Sequence, residues 1–363
     1  MKIVMATGGT GGHIYPALSL ADYLRDNYNS EVVFVGNSNK MEANIIPSKG
    51  YKFIGINAQG LTGNIVNKLM AFSKTYLASF NCVKILKEER ADIVVGFGGY
   101  VSYPVALAAK RLKIPFILHE QNSIPGKANL MLAKHSEKIV VCYPEAFKSF
   151  PKDKTLLLGN PRSTDVLKVK ENRELLTEIG LDKDKKTVLI VMGSLGSETI
   201  AEVVKQSLEQ LQDKEYQLIF VTGEKVYDKY QSLKFSNVAV VPYIDQMAYL
   251  KSIDLIIARG GATTASEILA AGIASIIIPS PYVANNHQYI NATYLKDNNA
   301  AIIIEEKDLT ADILVETIDT ILGSEVLENM KKNAIKLANL SAAEDISELI
   351  ISMVKKDWNE RFW

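Results

Sequence analysis

The sequence predicts an α/β protein made of two doubly wound, Rossmann-like parallel-sheet domains, and three observations predict it. Short β-branched runs alternate with helix-period segments from one end of the chain to the other. The runs are apolar on consecutive residues, the pattern of strands covered on both faces. The arrangement also opens twice in the same way, with a strand, a glycine-rich turn and a helix: VMATGGTGGH in the first half and IVMGSLGS in the second. With 363 residues the chain is long enough for two cores of about 150 to 200 residues each.

In chain order the first half offers KIVMAT, EVVFVG, YKFIGI, DIVVGF, PFILHE, KIVVCY and TLLLGN as strands. The second half offers TVLIVMG, YQLIFVTG, VAVVPY, DLIIAR, ASIIIP and AIIIEE. Parallel neighbours need a crossover helix between them, and the intervening segments have the length and period for one. After TLLLGN, Pro161 stops regular structure and a charged stretch runs from Lys168 to Lys186, so the domains are read as residues 1–160 and 161–363 with a linker near 161–166. The last segment, Ser341 to Trp363, is expected to be a helix that packs back on the first domain. In sheets of this kind ligands sit outside the carboxyl ends of the strands, which puts the expected site in a cleft between the two halves.

Composition removes several function classes. Lys and Arg total 41 and Asp and Glu total 41, so no global field draws nucleic acid or an anionic membrane, and any such contact must come from a local patch. The two cysteines, Cys82 and Cys142, lack CxxC spacing and are expected to be buried thiols in a reducing compartment. No apolar run approaches the roughly 18 residues of a spanning helix, and MKIVMATGG enters a strand too soon for a secretory segment. A cytosolic protein is the expectation.

The first turn, Gly8-Gly9-Thr10-Gly11-Gly12-His13, lets backbone N–H groups approach a ligand at a helix start, which favours an anion or a polar sugar. A merely tight strand-to-helix turn accounts for one or two glycines, not four with a histidine. The register is not that of the dinucleotide fingerprint, the second strand ends in Gly36-Asn37 rather than an acid, and no GK[ST] follows, so NAD and P-loop chemistry are disfavoured. Three of the four histidines, His13, His119 and His287, fall at strand ends, where acid–base or sugar-binding work would need them, while His135 reads as structural within a helix. In HEQN, residues Glu120, Gln121 and Asn122 are expected to project toward sugar hydroxyls, with an ordinary strand-end ion pair an equal reading for Glu120. Gly98-Gly99-Tyr100 offers a further backbone approach.

The second half carries the strongest signal, in DLIIARGGATTASEILAAGIASIIIPSPYVANNHQ. Gly260 and Gly261 turn the chain after a strand, and Ala262, Thr263 and Thr264 start a helix whose N–H groups suit a diphosphate. One turn on, Glu267 is placed to accept hydrogen bonds from a ribose diol, and Gln288 follows the next strand within reach of a sugar.

The strings GGTGGHIYPAL, GFGGYVSYP, HEQNSIPGKAN, GNPRSTDV, PYIDQM and GGATTASE span nearly the whole chain. They resemble those of the GT-B glycosyltransferases, and within them of the family that converts lipid I to lipid II in peptidoglycan synthesis. The resemblance implies a GT-B fold and inverting transfer of N-acetylglucosamine from UDP-N-acetylglucosamine to the C4 hydroxyl of undecaprenyl-diphospho-N-acetylmuramoyl-pentapeptide, without a cofactor. It implies donor contacts from Thr10, Gly11, Gly12, Asn122, Ser194, Ile244, Glu267 and Gln288, with Ile244 presenting its backbone to the uracil. It also implies that UDP is bound by the second domain, that the lipid-linked sugar is bound by the first, and that the protein works peripherally at the cytoplasmic face of the cell membrane. The chain departs from the family at Met192-Gly193-Ser194-Leu195-Gly196-Ser197, where the first glycine of the usual GGSxGA turn is lost. It departs again at Arg162, which follows Pro161 directly and is kept as a binding candidate.

No DxD pair occurs in a metal-binding context, so the leaving diphosphate is expected to be stabilised by helix starts and Ser194. A base must take the acceptor proton, and His13 is the first choice, with Glu120 and His119 as competitors. From Asn64 to Lys87 the chain has Lys68, Lys74, Lys84 and Lys87 and no acid, with Ile65, Leu69, Phe72, Tyr76, Phe80 and Val83 at helical spacing. That stripe is expected to pack partly inward, with Leu69, Phe72 and nearby lysines touching anionic lipid. A UDP-N-acetylglucosamine 2-epimerase and a non-catalytic nucleotide-sugar sensor are the rival readings.

Overall fold

The computed structural model describes residues 1–58, 65–193, 196–233 and 235–362. The contacts fall into two compact units: unit 1 is Met1–Thr164 with Ser341–Trp363, and unit 2 is Asp165–Leu340. Every strand expected from the sequence forms.

Unit 1 runs β1 (Lys2–Ala6), α1 (Gly11–Tyr28), β2 (Glu31–Asn37), α2 (Glu42–Ser48), β3 (Lys52–Ile56), α3 (Ile65–Glu88), β4 (Ile93–Gly96), α4 (Gly99–Leu112), β5 (Phe116–Glu120), α5 (Lys127–Leu132), β6 (Lys138–Val141) and β7 (Thr155–Leu157). The sheet order is β3-β2-β1-β4-β5-β6-β7, parallel throughout. Consecutive apolar residues are needed because both faces are covered. Val4 and Ala6 join the core with α3 and α4, whereas Ile3 and Met5 join the core with α1, and all four are fully buried. The strand order reverses between β1 and β4, so the helix starts that follow these strands share the switch point where such sheets bind ligands.

Helix α3 corrects the sequence reading of its faces. The buried residues of its described side chains are Thr75, Ala78, Ser79, Cys82 and Leu86, while Tyr76 and Phe80 are 44% and 53% exposed. Val83 is half-buried against the core. Helix α3 packs against α4, whose buried residues include Val105, Ala106 and Ala109. The side chains of Lys68, Leu69 and Phe72 lie outside the described residues. His135 closes a short 3-10 turn, Ala133–His135, rather than lying mid-helix.

The chain leaves unit 1 through α6 (Arg162–Lys168). Unit 2 then runs α7 (Glu174–Glu178), β8 (Thr187–Val191), α8 (Glu198–Leu211), β9 (Gln217–Val221), α9 (Tyr227–Tyr230), β10 (Val238–Val241), α10 (Gln246–Tyr249), β11 (Leu255–Ala258), α11 (Ala262–Ala271), β12 (Ala274–Ile277), α12 (His287–Asp297), β13 (Ala301–Ile303), α13 (Ala311–Leu322) and α14 (Val326–Leu337). Its parallel sheet has the order β10-β9-β8-β11-β12-β13, with the switch point between β8 and β11. Residues alternate between two cores here too, Val188 and Ile190 on one face and Leu189 and Val191 on the other. The final helix, α15 (Ala342–Phe362), returns to unit 1, where Ile346, Ile350 and Val354 recur at four-residue steps and pack with Leu20 and Leu24 of α1.

Candidate active site

At the unit 1 switch point the first glycine turn delivers His13 at the third residue of α1. Thr10 is extended (φ −146°, ψ 158°), and its carbonyl accepts from the N–H groups of His13 and Ile14 at 3.1 and 3.2 Å, which starts the helix. Arg162 lies 5.3 Å over the ring of Tyr15 on the same helix. Gly98, which precedes α4, has φ +94°, and a Cβ there would come within 3.1 Å of His13 Cε1 and 3.2 Å of Asn129 Nδ2. Glycine is therefore required on two counts, conformation and close approach.

Beneath the turn lies Glu42 of α2, wholly buried, whose carboxylate accepts from the N–H groups of Gly9 (3.1 Å) and Asn37 (3.0 Å). The Gly9 N–H is thereby engaged within the fold.

The HEQN segment is an internal scaffold. Glu120, 1% exposed, accepts from the backbone N–H groups of Asn122 (2.9 Å) and Gly126 (2.9 Å) and from the amides of Asn122 (3.3 Å) and Asn129 (2.8 Å). Its oxygens hold the loop. Gln121, read from the sequence as facing sugar hydroxyls, is instead buried between two imidazoles: His13 Nδ1 lies 2.9 Å from its Oε1, and His119 Nδ1 lies 2.8 Å from its Nε2. His119 is buried, and its Nε2 sits 3.1 Å from the carbonyl oxygen of Gly159.

Burial pulls His119 down to about 4, with the Gly159 hydrogen bond opposing that shift and the neighbouring His13 adding to it. The folded value lies below the ordinary 6.5, so the fold prefers the neutral ring. This stabilisation is complete above pH 6.5 and is lost as the pH falls from 6.5 through 4, amounting to about 3 kcal/mol. Denaturant midpoints followed across that window should fall more steeply for the native chain than for His119→Gln. Parallel curves would show that His119 does not resist protonation.

In unit 2 the β11–α11 connection builds a second site at the switch point. Gly261 caps α11 in extended conformation without a side-chain cap, so Ala262, Thr263 and Thr264 present the first-turn N–H groups. Ala262 and Thr263 are buried, as is Glu267, whose Oε2 accepts from Gln246 Nε2 at 3.0 Å. Ile244 is buried just before α10. Gln288 lies in the first turn of α12, where its Oε1 accepts from Ser280 N at 2.9 Å. A Cβ on Gly260 would meet the Gln288 carbonyl oxygen at 2.3 Å, and Asn291 Nδ2 donates to the Gly260 carbonyl at 3.1 Å, so the glycine turn seats α12 against α11. The turn after β8 is described at Gly193 and Gly196, but Ser194 lies outside the described residues.

Sequence reasoning missed the roles of three residues. Glu42 carries no motif, and Gln246 lies in PYIDQM but was given no part; each meets its partner only through the fold. Gln121 was noticed, but its role follows from strand order: β4 separates the strand before His13 from the strand before Gln121.

Two parallel sheets, each with a glycine-turned helix start at its switch point, define a two-domain, doubly wound α/β protein. The profiles of the Glycosyltransferase family 28 N-terminal and C-terminal domains match residues 3–141 and 187–350. The chain is 45% identical, over 90% of its length and 91% of the relative's, to the UDP-N-acetylglucosamine–N-acetylmuramyl-(pentapeptide) pyrophosphoryl-undecaprenol N-acetylglucosamine transferase of Bacillus pumilus. The crystal structure of Acinetobacter baumannii MurG superposes with a TM-score of 0.78 at 31% identity, covering 97% of this chain and 99% of that one. The chain belongs to this MurG family of N-acetylglucosaminyltransferases. A UDP-N-acetylglucosamine 2-epimerase from Neisseria meningitidis shares the fold alone, at a TM-score of 0.66 and 15% identity, with 97% of this chain and all of that one covered.

Proposed function

We propose that this protein transfers N-acetylglucosamine from UDP-N-acetylglucosamine to the C4 hydroxyl of undecaprenyl-diphospho-N-acetylmuramoyl-pentapeptide, completing the lipid-linked disaccharide of peptidoglycan. The observation that carries the reading is the unit 2 switch point, where the start of α11, with glycine at its N-cap, stands one turn from a buried carboxylate. The N–H groups of α11 suit a diphosphate, and Glu267 suits the ribose diol. Ser194, Ile244 and Gln288 complete the proposed donor contacts of unit 2, and Thr10, Gly11, Gly12 and Asn122 are the proposed binding residues of unit 1.

In the proposed step, the acceptor O4 attacks the anomeric carbon with inversion. The bond from that carbon to the diphosphate oxygen breaks, and UDP leaves with the bonding electrons. The O4 proton passes to His13. His119 and Glu120 are poorer bases, because both ring nitrogens of His119 and both carboxylate oxygens of Glu120 are already engaged inside the fold. Negative charge growing on the diphosphate is met by the α11 helix start.

Following UDP release with and without the lipid-linked acceptor tests the reading. Release that requires the acceptor, with sugar appearing in the lipid fraction, is expected. UDP formed without acceptor, or a C2 epimer of the donor, contradicts it.

The acceptor's prenyl chain requires contact with a bilayer, and the outer face of α3 is the proposed contact. Tyr76, Leu77 and Phe80 are 44%, 63% and 53% exposed, and the Arg111 guanidinium lies 5.3 Å over Tyr76 and 4.4 Å over Phe80. Aromatic, aliphatic and cationic groups together suit an anionic interface. Among the described residues no helix is long and apolar enough to cross a membrane. Replacing both Leu77 and Phe80 with Glu should lower partitioning onto phosphatidylglycerol vesicles about tenfold or more, as read by co-sedimentation. Unchanged partitioning would move the contact elsewhere.

A further inference from the structure

Gln121 joins two histidines, and its amide can be oriented without reference to either. Its Nε2 lies 3.1 Å from the carbonyl oxygen of Phe97, an atom that only accepts, so Nε2 donates there and Oε1 must face His13. A reversed amide would set two oxygens against each other in a buried site. Since Oε1 only accepts, His13 Nδ1 must carry the proton, and the lone pair of neutral His13 resides on Nε2. On the other side Nε2 of Gln121 donates to His119 Nδ1, so His119 is protonated at its own Nε2 and donates to the Gly159 carbonyl. Backbone carbonyls at Phe97 and Gly159 thus fix the direction of the whole chain of hydrogen bonds.

We propose that Gln121 is a positioning residue that sets the tautomer and ring orientation of His13. The assignment rests on the reading of His13 as the base. It gives the buried pair of Gln121 and His119 a purpose: a neutral amide holds the proton on Nδ1, His119 holds the amide, and the low basicity of buried His119 keeps it an acceptor toward Gln121. Because the partner is an amide rather than a carboxylate, His13 is oriented without a fixed negative charge beside it. The Nε2 of His13 is then left to receive the acceptor proton.

Nitrogen-15 spectra of the histidine rings test this in the full-length protein, with His13 assigned by comparison with His13→Ala. At a pH where the ring is neutral, His13 is expected to show a protonated Nδ1 and a bare Nε2. In Gln121→Leu, which removes the acceptor at similar size, that preference should be lost, and kcat should fall about 10²-fold with KM for UDP-N-acetylglucosamine unchanged. A proton on His13 Nε2 in the native chain overturns the proposal, and so does a Gln121→Leu enzyme with native kcat. The two readings fail separately. If His13→Ala retains turnover, His13 is not the base, whatever its tautomer. If His13→Ala is inactive while native His13 carries its proton on Nε2, the base stands and the role of Gln121 falls. A Gln121→Leu chain that does not fold leaves the native spectrum as the deciding measurement.

Discussion

His13→Ala is expected to lower kcat by about 10²- to 10⁴-fold while leaving the affinity for UDP-N-acetylglucosamine near its native value. The asymmetry follows from where the residue sits. His13 belongs to unit 1, whereas the proposed contacts to the nucleotide centre on α11 of unit 2. Loss of a base raises the barrier to forming the new bond without removing a ground-state contact to the nucleotide. Steady-state kinetics with varied donor separate the two parameters. A variant with kcat near native, or one whose loss lies wholly in donor KM, would assign proton transfer to another group.

The second large effect is expected at Glu267. Two ribose hydroxyls donating to one carboxylate contribute about 1.5 kcal/mol each at the low end for charged hydrogen bonds, so Glu267→Ala should weaken UDP binding by about 10²-fold. Removal also strands Gln246 Nε2, which donates to this carboxylate at 3.0 Å. Glu267→Gln keeps the size and one acceptor oxygen and should bind UDP with intermediate affinity. Calorimetric titration with UDP reads this directly. The fold should be little affected, because α11 is held by Ala265, Ile268 and Leu269 in the core. Native UDP affinity in Glu267→Ala would remove the diol from this site.

The strands were legible because burial on both faces demands consecutive apolar residues, and the shortness and β-branched content of runs such as KIVMAT and DLIIAR set them apart from buried helices. Gly260, Gly261 and the Thr-rich helix start were equally legible, since a strand, its turn and the following helix are contiguous in sequence. Helix α3 was harder to orient. Its exposed Tyr76, Leu77 and Phe80 are more apolar than its buried Thr75, Ala78 and Ser79, so hydropathy alone favours the wrong face. What faces inward depends on the packing of α3 against α4, which periodicity in α3 does not encode. The His13, Gln121 and His119 chain was invisible for another reason. Its members were each suspected of touching substrate, but their mutual contacts depend on β1, β4 and β5 lying side by side. Glu42 shows the same limit, since its partners Gly9 and Asn37 are set by the pairing of β1 with β2.

The central claim is that the nucleotide diphosphate rests on the helix start of unit 2. A crystal structure with UDP tests it most directly. The diphosphate is predicted within hydrogen-bonding distance of the N–H groups of Ala262, Thr263 or Thr264, with the ribose hydroxyls on the Glu267 carboxylate. A diphosphate seated on the Thr10–His13 turn of unit 1, with Glu267 untouched, would contradict it.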